Sequence, residues 1–328
     1  MNGPNGLLDQ LRDLPTLFDV VVGDFGREAA TRYLAIMAEE ERAFLTRLLA
    51  TQDLPFLDEY RRIMFGHIGD VAYLKRVTVQ RVWAEQGRLT DEVLVAVKAH
   101  DIPSDMVARF ACVIHDEAVL AMRRGHGRVR VALPCNALSE TLGDAVRVAG
   151  EARAFKAAAE SVDYEPISDD AVPELTAHGV VHSTIGQLER TGMLDGRPFV
   201  VLGAAMANEQ YRRLGGPRGM NIILLTELQQ AIVDEAVLAC IDGSDANLAT
   251  ARQAIEGEIL TPLRRLHPGL VVLEACTDFD FGLGLDSLRL MARQMVFECY
   301  RDLQAASDLA GPLSEFNPIL RTSGNGIL

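Results

Sequence analysis

Two cysteines follow apolar, β-branched runs at the points where a strand-like pattern stops. Cys135 lies in VALPCNALSE and Cys276 lies in VVLEACTDFD, each followed by Asn or Thr and then by a helix-like segment. Ligands of parallel α/β sheets bind outside the carboxyl ends of the strands. A helix that begins there favours a thiolate or a bound carboxylate, because its free N–H groups are partially positive. The pattern therefore indicates two functional thiols; the alternative is that each is a small buried hydrophobe.

The other three cysteines have a different setting. Cys112, Cys240 and Cys299 lie within helical patterns, and we expect them to pack in the core. The five cysteines include no CxxC pair and form an odd set. This spacing argues against a disulfide framework and against a metal site, and reduced thiols are typical of a cytoplasmic protein.

Short apolar runs alternate with longer amphipathic patterns along the chain. Strands buried on both faces read as continuous Val/Leu runs, and their alternation with helices implies parallel sheets. The predicted strands are 18–23, 129–133, 179–183, 198–203 and 270–275, and the predicted helices are 26–49, 139–160, 184–193, 205–214, 221–241, 246–266 and 286–305. The N-cap of the 139–160 helix is predicted to be Ser139. The predicted fold class is α/β with two sheets.

The Pro- and Asp-rich segment 166–179 is the best boundary between two halves. We predict a first α/β domain over 1–174, a second over 175–289, and a C-terminal helix and tail over 290–328 that returns to the first domain. Residues 40–105 show helical periodicity without a convincing strand. We expect this segment to add helices to the first domain, with an apolar stripe that makes the protein a homodimer.

Composition excludes several classes of partner. The net charge of −14 argues against a nucleic-acid surface or an anionic membrane. No run of 18 or more apolar residues occurs, so no membrane span is expected. The first residues, MNGPNGLLDQ, lack the basic and apolar regions of a signal peptide. A length of 328 residues allows a large buried core and two domains.

Four segments resemble the aspartate/glutamate racemase superfamily. PCNALSE is similar to the first cysteine motif of that superfamily, and EACTDF is similar to the second. VVVGDFGREAAT resembles its first-strand signature, and GVVHSTIGQLERTGML resembles the segment that opens its second half. The four segments occur in the order of the family, from about residue 18 to about residue 290.

The resemblance implies two pseudo-symmetric α/β domains that face each other, with the active site in the cleft between them. It also implies proton transfer at a carbon next to a carboxylate, without a cofactor. Cys135 and Cys276 would act on opposite faces of the substrate, one as thiolate base and the other as thiol acid. The implied activity is that of an amino-acid racemase or epimerase, with a small-molecule carboxylate as its substrate.

The resemblance also assigns roles to polar residues beside the cysteines. Asn136 and Thr277 match positions that bind the substrate carboxylate, and Thr184 matches a further substrate contact. Asp24 matches an acidic residue that contacts a substrate amine or supports Cys135 as base; its alternative role is in a turn or helix cap. His182 and Asp278 are two possible additional site residues.

Four residues depart from the family pattern and leave the identity of the substrate open. Ala137 stands where a threonine is usual, Ser139 where His is common, and Asp278 where Glu or His is usual, while Glu274 occupies an ordinarily apolar or small position. Two alternatives therefore remain open. One is another chemistry of the superfamily, such as an isomerase, lyase or decarboxylase acting on a dicarboxylate. The other is a binding protein on the same fold without activity.

Overall fold

The computed structural model describes residues 17–22, 29–50, 76–79, 105–168, 172–242, 245–279 and 281–306. The described strands form two sheets of four strands each, and every neighbouring pair of strands is parallel. The strands are β1 (Leu17–Val22), β2 (Arg76–Val79), β3 (Arg128–Leu133), β4 (Glu174–Gly179), β5 (Pro198–Leu202), β6 (Asn221–Ile222), β7 (Val271–Glu274) and β8 (Leu285–Asp286).

Helices flank both sheets, so the protein has the predicted α/β fold. They are α1 (Ala29–Ala50), α2 (Met106–Arg123), α3 (Ser139–Gly150), α4 (Ala152–Ser161), α5 (Val180–Arg190), α6 (Ala205–Gly215), α7 (Glu227–Asp242), α8 (Asp245–Ala254), α9 (Thr261–Leu266) and α10 (Ser287–Ala306). A π-helical segment, Ile255–Leu260, joins α8 to α9. Within the described residues, no helix is both long enough and apolar enough to cross a membrane.

The two sheets repeat one topology. The first has the order β2-β1-β3-β4 and the second has the order β6-β5-β7-β8. The order of the strands reverses between β1 and β3, and again between β5 and β7. Ligands of open parallel sheets bind at such reversal points, outside the carboxyl ends of the strands. The residues that follow β3 and β7 therefore occupy equivalent places in the two sheets.

The central strands are held by apolar packing on both faces. Valines of β1 and β3 pack against α2 and α3 on one face of the first sheet. The opposite face packs against α1, α10 and the beginning of α5. In the second sheet, α7 and the π-helical segment cover one face, and α5 and α6 cover the other. Helices α5 and α10 contribute to clusters on both sheets and thereby join the two halves.

A buried ion pair holds α10 against the first sheet. Arg130 on β3 donates two hydrogen bonds of 2.7 Å to the carboxylate of Asp19 on β1. A third bond, of 2.9 Å, goes from Arg130 to the main-chain oxygen of Met295 in α10. Such a bidentate pair has strict geometry, and a buried charge is costly unless it is paired in this way. The C-terminal helix is thus anchored on the first half of the chain.

One predicted strand is wrong. The segment 179–183 is not a strand, because β4 ends at Gly179 and α5 begins at Val180. The actual strand, ELTAHG, lies at the edge of the first sheet and is largely exposed, so it lacks the apolar run that marks a central strand. All of β4 pairs with β3. The first sheet therefore ends with β4 at Gly179, and α5 follows it directly.

Other predicted boundaries also change. Ser139 is the first residue of α3 rather than its N-cap, and its hydroxyl oxygen accepts a 3.2 Å hydrogen bond from the N–H of Val181. The predicted helix 139–160 divides at Glu151 into α3 and α4. The predicted helix 221–241 begins at Glu227, after the short strand β6. In the segment 40–105, α1 extends to Ala50 and β2 forms an unpredicted strand; most of the remainder lies outside the described residues.

Candidate active site

Cys135 and Cys276 occupy equivalent positions in the two sheets. Cys135 lies just beyond β3 and Cys276 just beyond β7, each at the carboxyl end of the third strand in its sheet order. Both side chains are partly buried. Cys135 packs against the core of the first sheet, and Cys276 packs against that of the second. We use Cys135 loop for residues 134–138 and Cys276 loop for residues 275–279 and 281–284.

The structure brings the two loops together from different sheets. Burial and the charge of Asp278 raise the pKa of the Cys276 thiol, and the charges that Cys240 and Cys135 would carry as thiolates add smaller increases. Asp278, in the Cys276 loop, likewise raises the pKa of the Cys135 thiol. Charges act on each other in this way only over short distances. The thiols therefore lie within electrostatic range of each other.

Both thiols resist ionisation. Burial raises the pKa of Cys135 to about 11, and the charge of Asp278 acts in the same direction. Hydrogen bonds from the N–H groups of Leu138 and Ala137 oppose this increase. Burial also raises the pKa of Cys276 well above its ordinary value, together with the charge of Asp278. In the free protein, burial therefore outweighs the main-chain donors that favour a thiolate at these positions.

Asn136 and Thr184 belong to one buried polar network. The amide of Asn136 donates to the hydroxyl of Ser287 at 3.2 Å and accepts a 2.8 Å hydrogen bond from the hydroxyl of Tyr211. The hydroxyl of Thr184 donates to the main-chain oxygen of Ser287 at 3.1 Å. Thr184 is 0% exposed and Asn136 is 3% exposed. The network joins β3, α5, α6 and α10 next to Cys135, and both residues are occupied in holding these elements together.

Glu274 organises the Cys276 loop from its own strand. This carboxylate is 2% exposed and accepts hydrogen bonds from the N–H groups of Phe281, Leu283 and Gly284. Three main-chain donors on one carboxylate fix the return of the loop to β8. Burial raises the pKa of Glu274, and the three donors act in the opposite direction. The sequence had marked this residue only as unusual for its position.

Thr277 and Asp278 follow Cys276 directly. Thr277 is 4% exposed, and its main-chain oxygen accepts a 2.7 Å hydrogen bond from the guanidinium of Arg32 in α1. Asp278 is partly buried, donates its N–H to the sulfur of Cys276, and raises the pKa of Cys135, Cys276 and Cys240. Asp278 is therefore an acidic side chain within electrostatic range of all three thiols.

Cys240 is a third thiol near this site. It lies in α7 and packs, like Cys276, at the margin of the second-sheet core. Burial raises its pKa to about 12, with a contribution from the charge of Asp278. The sequence predicted Cys240 as a core residue from its helical pattern alone. Nothing in the local sequence places α7 beside the Cys276 loop, because that neighbourhood is created by the second sheet.

Of the remaining predicted residues, His182 does not join this cluster. His182 is exposed on α5, and burial of part of its ring and the charge of Arg218 lower its pKa. Asp24 lies outside the described residues. Within the described part of the chain, no group of three or more His, Cys, Asp or Glu side chains could hold a metal ion.

Gln210 is a site residue that the sequence did not reveal. Its amide nitrogen donates a 2.6 Å hydrogen bond to the main-chain oxygen of Ala137 in the Cys135 loop. Gln210 is 5% exposed, and its amide oxygen has no hydrogen-bond partner among the described residues. A buried acceptor without a donor is costly, so this oxygen is suited to accept a hydrogen bond from a bound molecule.

No protein-family model and no curated protein matches the chain. Among solved structures, the chain is similar to the crystal structure of a candidate Asp/Glu racemase from Yersinia pestis, with 13% sequence identity and a TM-score of 0.46. That similarity covers 90% of this chain and 99% of the other. An identity this low leaves activity and substrate to be inferred from the residues of the site itself.

Proposed function

We propose that this protein is a cofactor-independent racemase or epimerase that acts on an amino acid or a related carboxylate. Cys135 and Cys276 transfer protons on opposite faces of the substrate. The observation that carries the proposal is the pairing of two thiols from equivalent strand ends of two sheets, close enough for the charge of one to affect the other. Inversion of a stereocentre requires an acid and a base on opposite sides of one carbon, and two such loops supply them.

The proton balance of the reaction is simple. One cysteine, as thiolate, takes the α-proton, and the electron pair of the broken C–H bond passes into the neighbouring carboxylate. The other cysteine delivers its S–H proton to the opposite face and becomes a thiolate. The reverse reaction exchanges the two roles. Main-chain donors at the strand ends are suited to stabilise the negative charge that develops on the carboxylate oxygens.

The two thiols are not equivalent as bases. The charge of Asp278 opposes both thiolates, but at Cys135 the N–H of Leu138 outweighs that charge, whereas at Cys276 the charge outweighs the single main-chain donor. Cys135 is therefore the better candidate for the thiolate of the resting enzyme. A raised pKa also makes a thiolate a stronger base, which suits the removal of a weakly acidic α-proton.

The acceptors around the site favour a substrate with an amino group. Asp278 carries a negative charge, and the amide oxygen of Gln210 lacks a donor. A substrate ammonium group would be attracted by the charge of Asp278, would donate to the amide oxygen of Gln210, and would lower the pKa of both thiols by its positive charge. A second carboxylate would have the opposite effect. We therefore place an amino acid ahead of a dicarboxylate without an amine.

Isotope exchange tests this function. Single enantiomers of amino acids and dicarboxylates are incubated in D₂O and followed by NMR and chiral chromatography. We expect one amino acid to gain deuterium at the α-carbon and to lose optical purity. The variant Cys112→Ser, altered in the buried interior of α2, serves as the control with activity retained. Loss of CO₂, elimination or isomerisation without racemisation would assign another chemistry, and no exchange with any compound would indicate a binding protein.

The homodimer is also part of this proposal. Its predicted interface, residues 40–105, lies mostly outside the described residues. Sedimentation at micromolar concentration should give twice the chain mass of 35.8 kDa. A species with the mass of one chain would contradict the dimer without affecting the two-cysteine chemistry.

A further inference from the structure

Each cysteine loop is held by a helix from the other half of the protein. The Cys135 loop follows a strand of the first sheet, but two of its side-chain contacts come from α6, which follows β5 of the second sheet. Gln210 donates to the main-chain oxygen of Ala137 at 2.6 Å. Tyr211 donates its hydroxyl to the side-chain oxygen of Asn136 at 2.8 Å. Both of these α6 residues are at least 95% buried, so water does not compete with the contacts.

The Cys276 loop has the reciprocal arrangement. It follows a strand of the second sheet, and it is held by Arg32 of α1, which follows β1 of the first sheet. The guanidinium donates to the main-chain oxygens of Thr277 at 2.7 Å and of Phe279. It also forms a 2.8 Å ion pair with Asp286, at the end of β8. The planar guanidinium has several donors in a fixed geometry, which suits it to hold two carbonyls and a carboxylate together.

The two sets of contacts are equivalent by topology. Strands β1 and β5 hold the same place in their sheets, and the helix after each one reaches across to the cysteine loop of the other half. A shift of one half relative to the other would therefore move both loops at once. The loop residues that accept these hydrogen bonds include Asn136, Ala137 and Thr277, which lie beside the cysteines in the sequence.

We infer that Arg32 and Tyr211 are positioning residues, which set the separation of the two thiols by holding each cysteine loop from the opposite half. This inference deepens the proposed function and rests on it for the effect on turnover. The positions of the thiols themselves can be measured without a substrate. A two-base reaction needs both sulfurs within reach of one carbon, and small displacements of reacting groups are costly.

The test combines two thiol reagents with matched variants. Iodoacetamide labelling at each cysteine is followed by peptide mass spectrometry, and dibromobimane is used to bridge Cys135 to Cys276. Arg32→Met removes the guanidinium at nearly constant length, and Tyr211→Phe removes one hydroxyl. Arg293→Met is the control, since Arg293 pairs with Glu40 on the outer side of α1 and α10 and does not contact either loop.

We expect effects that are specific to one loop. Arg32→Met should change the labelling rate of Cys276 by about tenfold, the equivalent of one hydrogen bond to a charged group, and that of Cys135 by less than about twofold. Tyr211→Phe should change the labelling rate of Cys135 by about threefold, as expected for a neutral hydrogen bond, and should change that of Cys276 less. Both variants should reduce bridging, and Arg293→Met should leave labelling and bridging unchanged. Arg32→Lys keeps the charge but not the planar group, and should lie between wild type and Arg32→Met.

Two results would overturn the inference. The first is unchanged labelling and bridging in folded Arg32→Met or, if that variant does not fold, in Arg32→Lys. The second is an equal change at Cys135, Cys276 and Cys112 that follows the loss of thermal stability, because a merely structural role would produce it. Bridging with loop-specific effects, but no racemisation of any compound, would contradict the proposed function and leave the positioning role intact.

Discussion

The Cys135 loop and the Cys276 loop share a sequence pattern but are built differently. The Cys135 loop is short, since α3 begins at Ser139, and the main-chain N–H groups at that helix start reach the sulfur. The Cys276 loop runs from β7 to β8 before α10 begins at Ser287. It has no helix start next to the cysteine and depends on the carboxylate of Glu274 and the guanidinium of Arg32. A similar motif therefore does not guarantee a similar environment.

This difference predicts unequal behaviour of the two loops. Neutral, fully buried side chains hold the Cys135 loop, whereas charged groups hold the Cys276 loop, and the side chain of Arg32 is 21% exposed. Salt and pH act on partly exposed charges more than on buried neutral hydrogen bonds. We therefore expect the conformation of the Cys276 loop to depend more strongly on salt and pH than the conformation of the Cys135 loop does.

The largest effect is expected from the cysteines themselves. Cys135→Ser and Cys276→Ser should each reduce racemisation by about 10²- to 10⁴-fold, the usual contribution of a general acid or base. Each variant should still exchange the α-proton of one enantiomer, because the remaining thiolate can act on its own face, and the two variants should prefer opposite enantiomers. Chiral chromatography and NMR in D₂O measure both quantities. Racemisation at nearly the wild-type rate in both variants would rule out the two-cysteine mechanism.

The next effect concerns the stability of the Cys276 loop. Glu274→Ala should lower the free energy of unfolding by about 2–4 kcal/mol, since it leaves the N–H groups of Phe281 and Leu283 buried without an acceptor. Urea denaturation measures the loss. Glu209→Ala is a suitable control, because Glu209 forms an exposed pair with Arg212 and should contribute less than about 1 kcal/mol. A loss no greater than that of the control would show that Glu274 does not hold the loop.

The same carboxylate should give a pH dependence of defined sign. Burial raises the pKa of Glu274 above its ordinary value of 4.5, so the folded state binds its proton more tightly than the unfolded chain does. The part of its contribution to stability that is linked to this proton is complete below pH 4.5 and is lost as the pH rises through the raised pKa, whereas the hydrogen bonds from the N–H groups persist. The difference in stability between wild type and Glu274→Gln should therefore change over this interval. A difference that is constant with pH would contradict the raised pKa.

A smaller effect is expected at Asp278. Its charge raises the pKa of both thiols, so Asp278→Asn should lower both values and increase the thiolate fraction near pH 8. Iodoacetamide labelling of Cys135 and Cys276 should become about two- to tenfold faster, since one pKa unit corresponds to a factor of ten. Asp144→Asn, on the exposed surface of α3, should have no effect. Faster labelling of only one cysteine would mean that the two loops are further apart than their mutual charge effects indicate.

The sequence predicted the centre of each sheet better than its edges. Strands β1, β3, β5 and β7 were found because buried parallel strands are continuous apolar runs. The edge strands were missed because ELTAHG, RVTV and the two-residue strands β6 and β8 lack such runs. An edge strand takes its conformation largely from pairing with its neighbour, which a local pattern does not record.

The same limit applies to the candidate site. Cys135 and Cys276 were found from local motifs at strand ends. Arg32 contacts Thr277 across 245 residues of sequence, and Tyr211 contacts Asn136 across 75 residues. No spacing rule connects residues so far apart, because their contact depends on how two sheets and their helices pack. Glu274 was the exception, since a carboxylate at the end of an apolar strand already indicated an unusual environment.

The smallest effect is expected at Cys240, and it tests whether the site has two working thiols or three. A Cys240 thiolate would raise the pKa of Cys276, but burial raises the pKa of Cys240 itself to about 12, so near pH 8 almost none of it carries that charge. Cys240→Ala should therefore change the labelling rate of Cys276 by less than about twofold at pH 8, since a tenfold change would require a full pKa unit. It should lower stability by about 1 kcal/mol through lost packing against the second-sheet core. Labelling of Cys240 itself should be slower than that of Cys135 in the wild-type protein, because its pKa of about 12 exceeds the value of about 11 at Cys135. If Cys240→Ala instead abolished racemisation while the protein remained folded, Cys240 would be part of the chemistry, and the Cys276 loop would differ from the Cys135 loop in having a second thiol beside it.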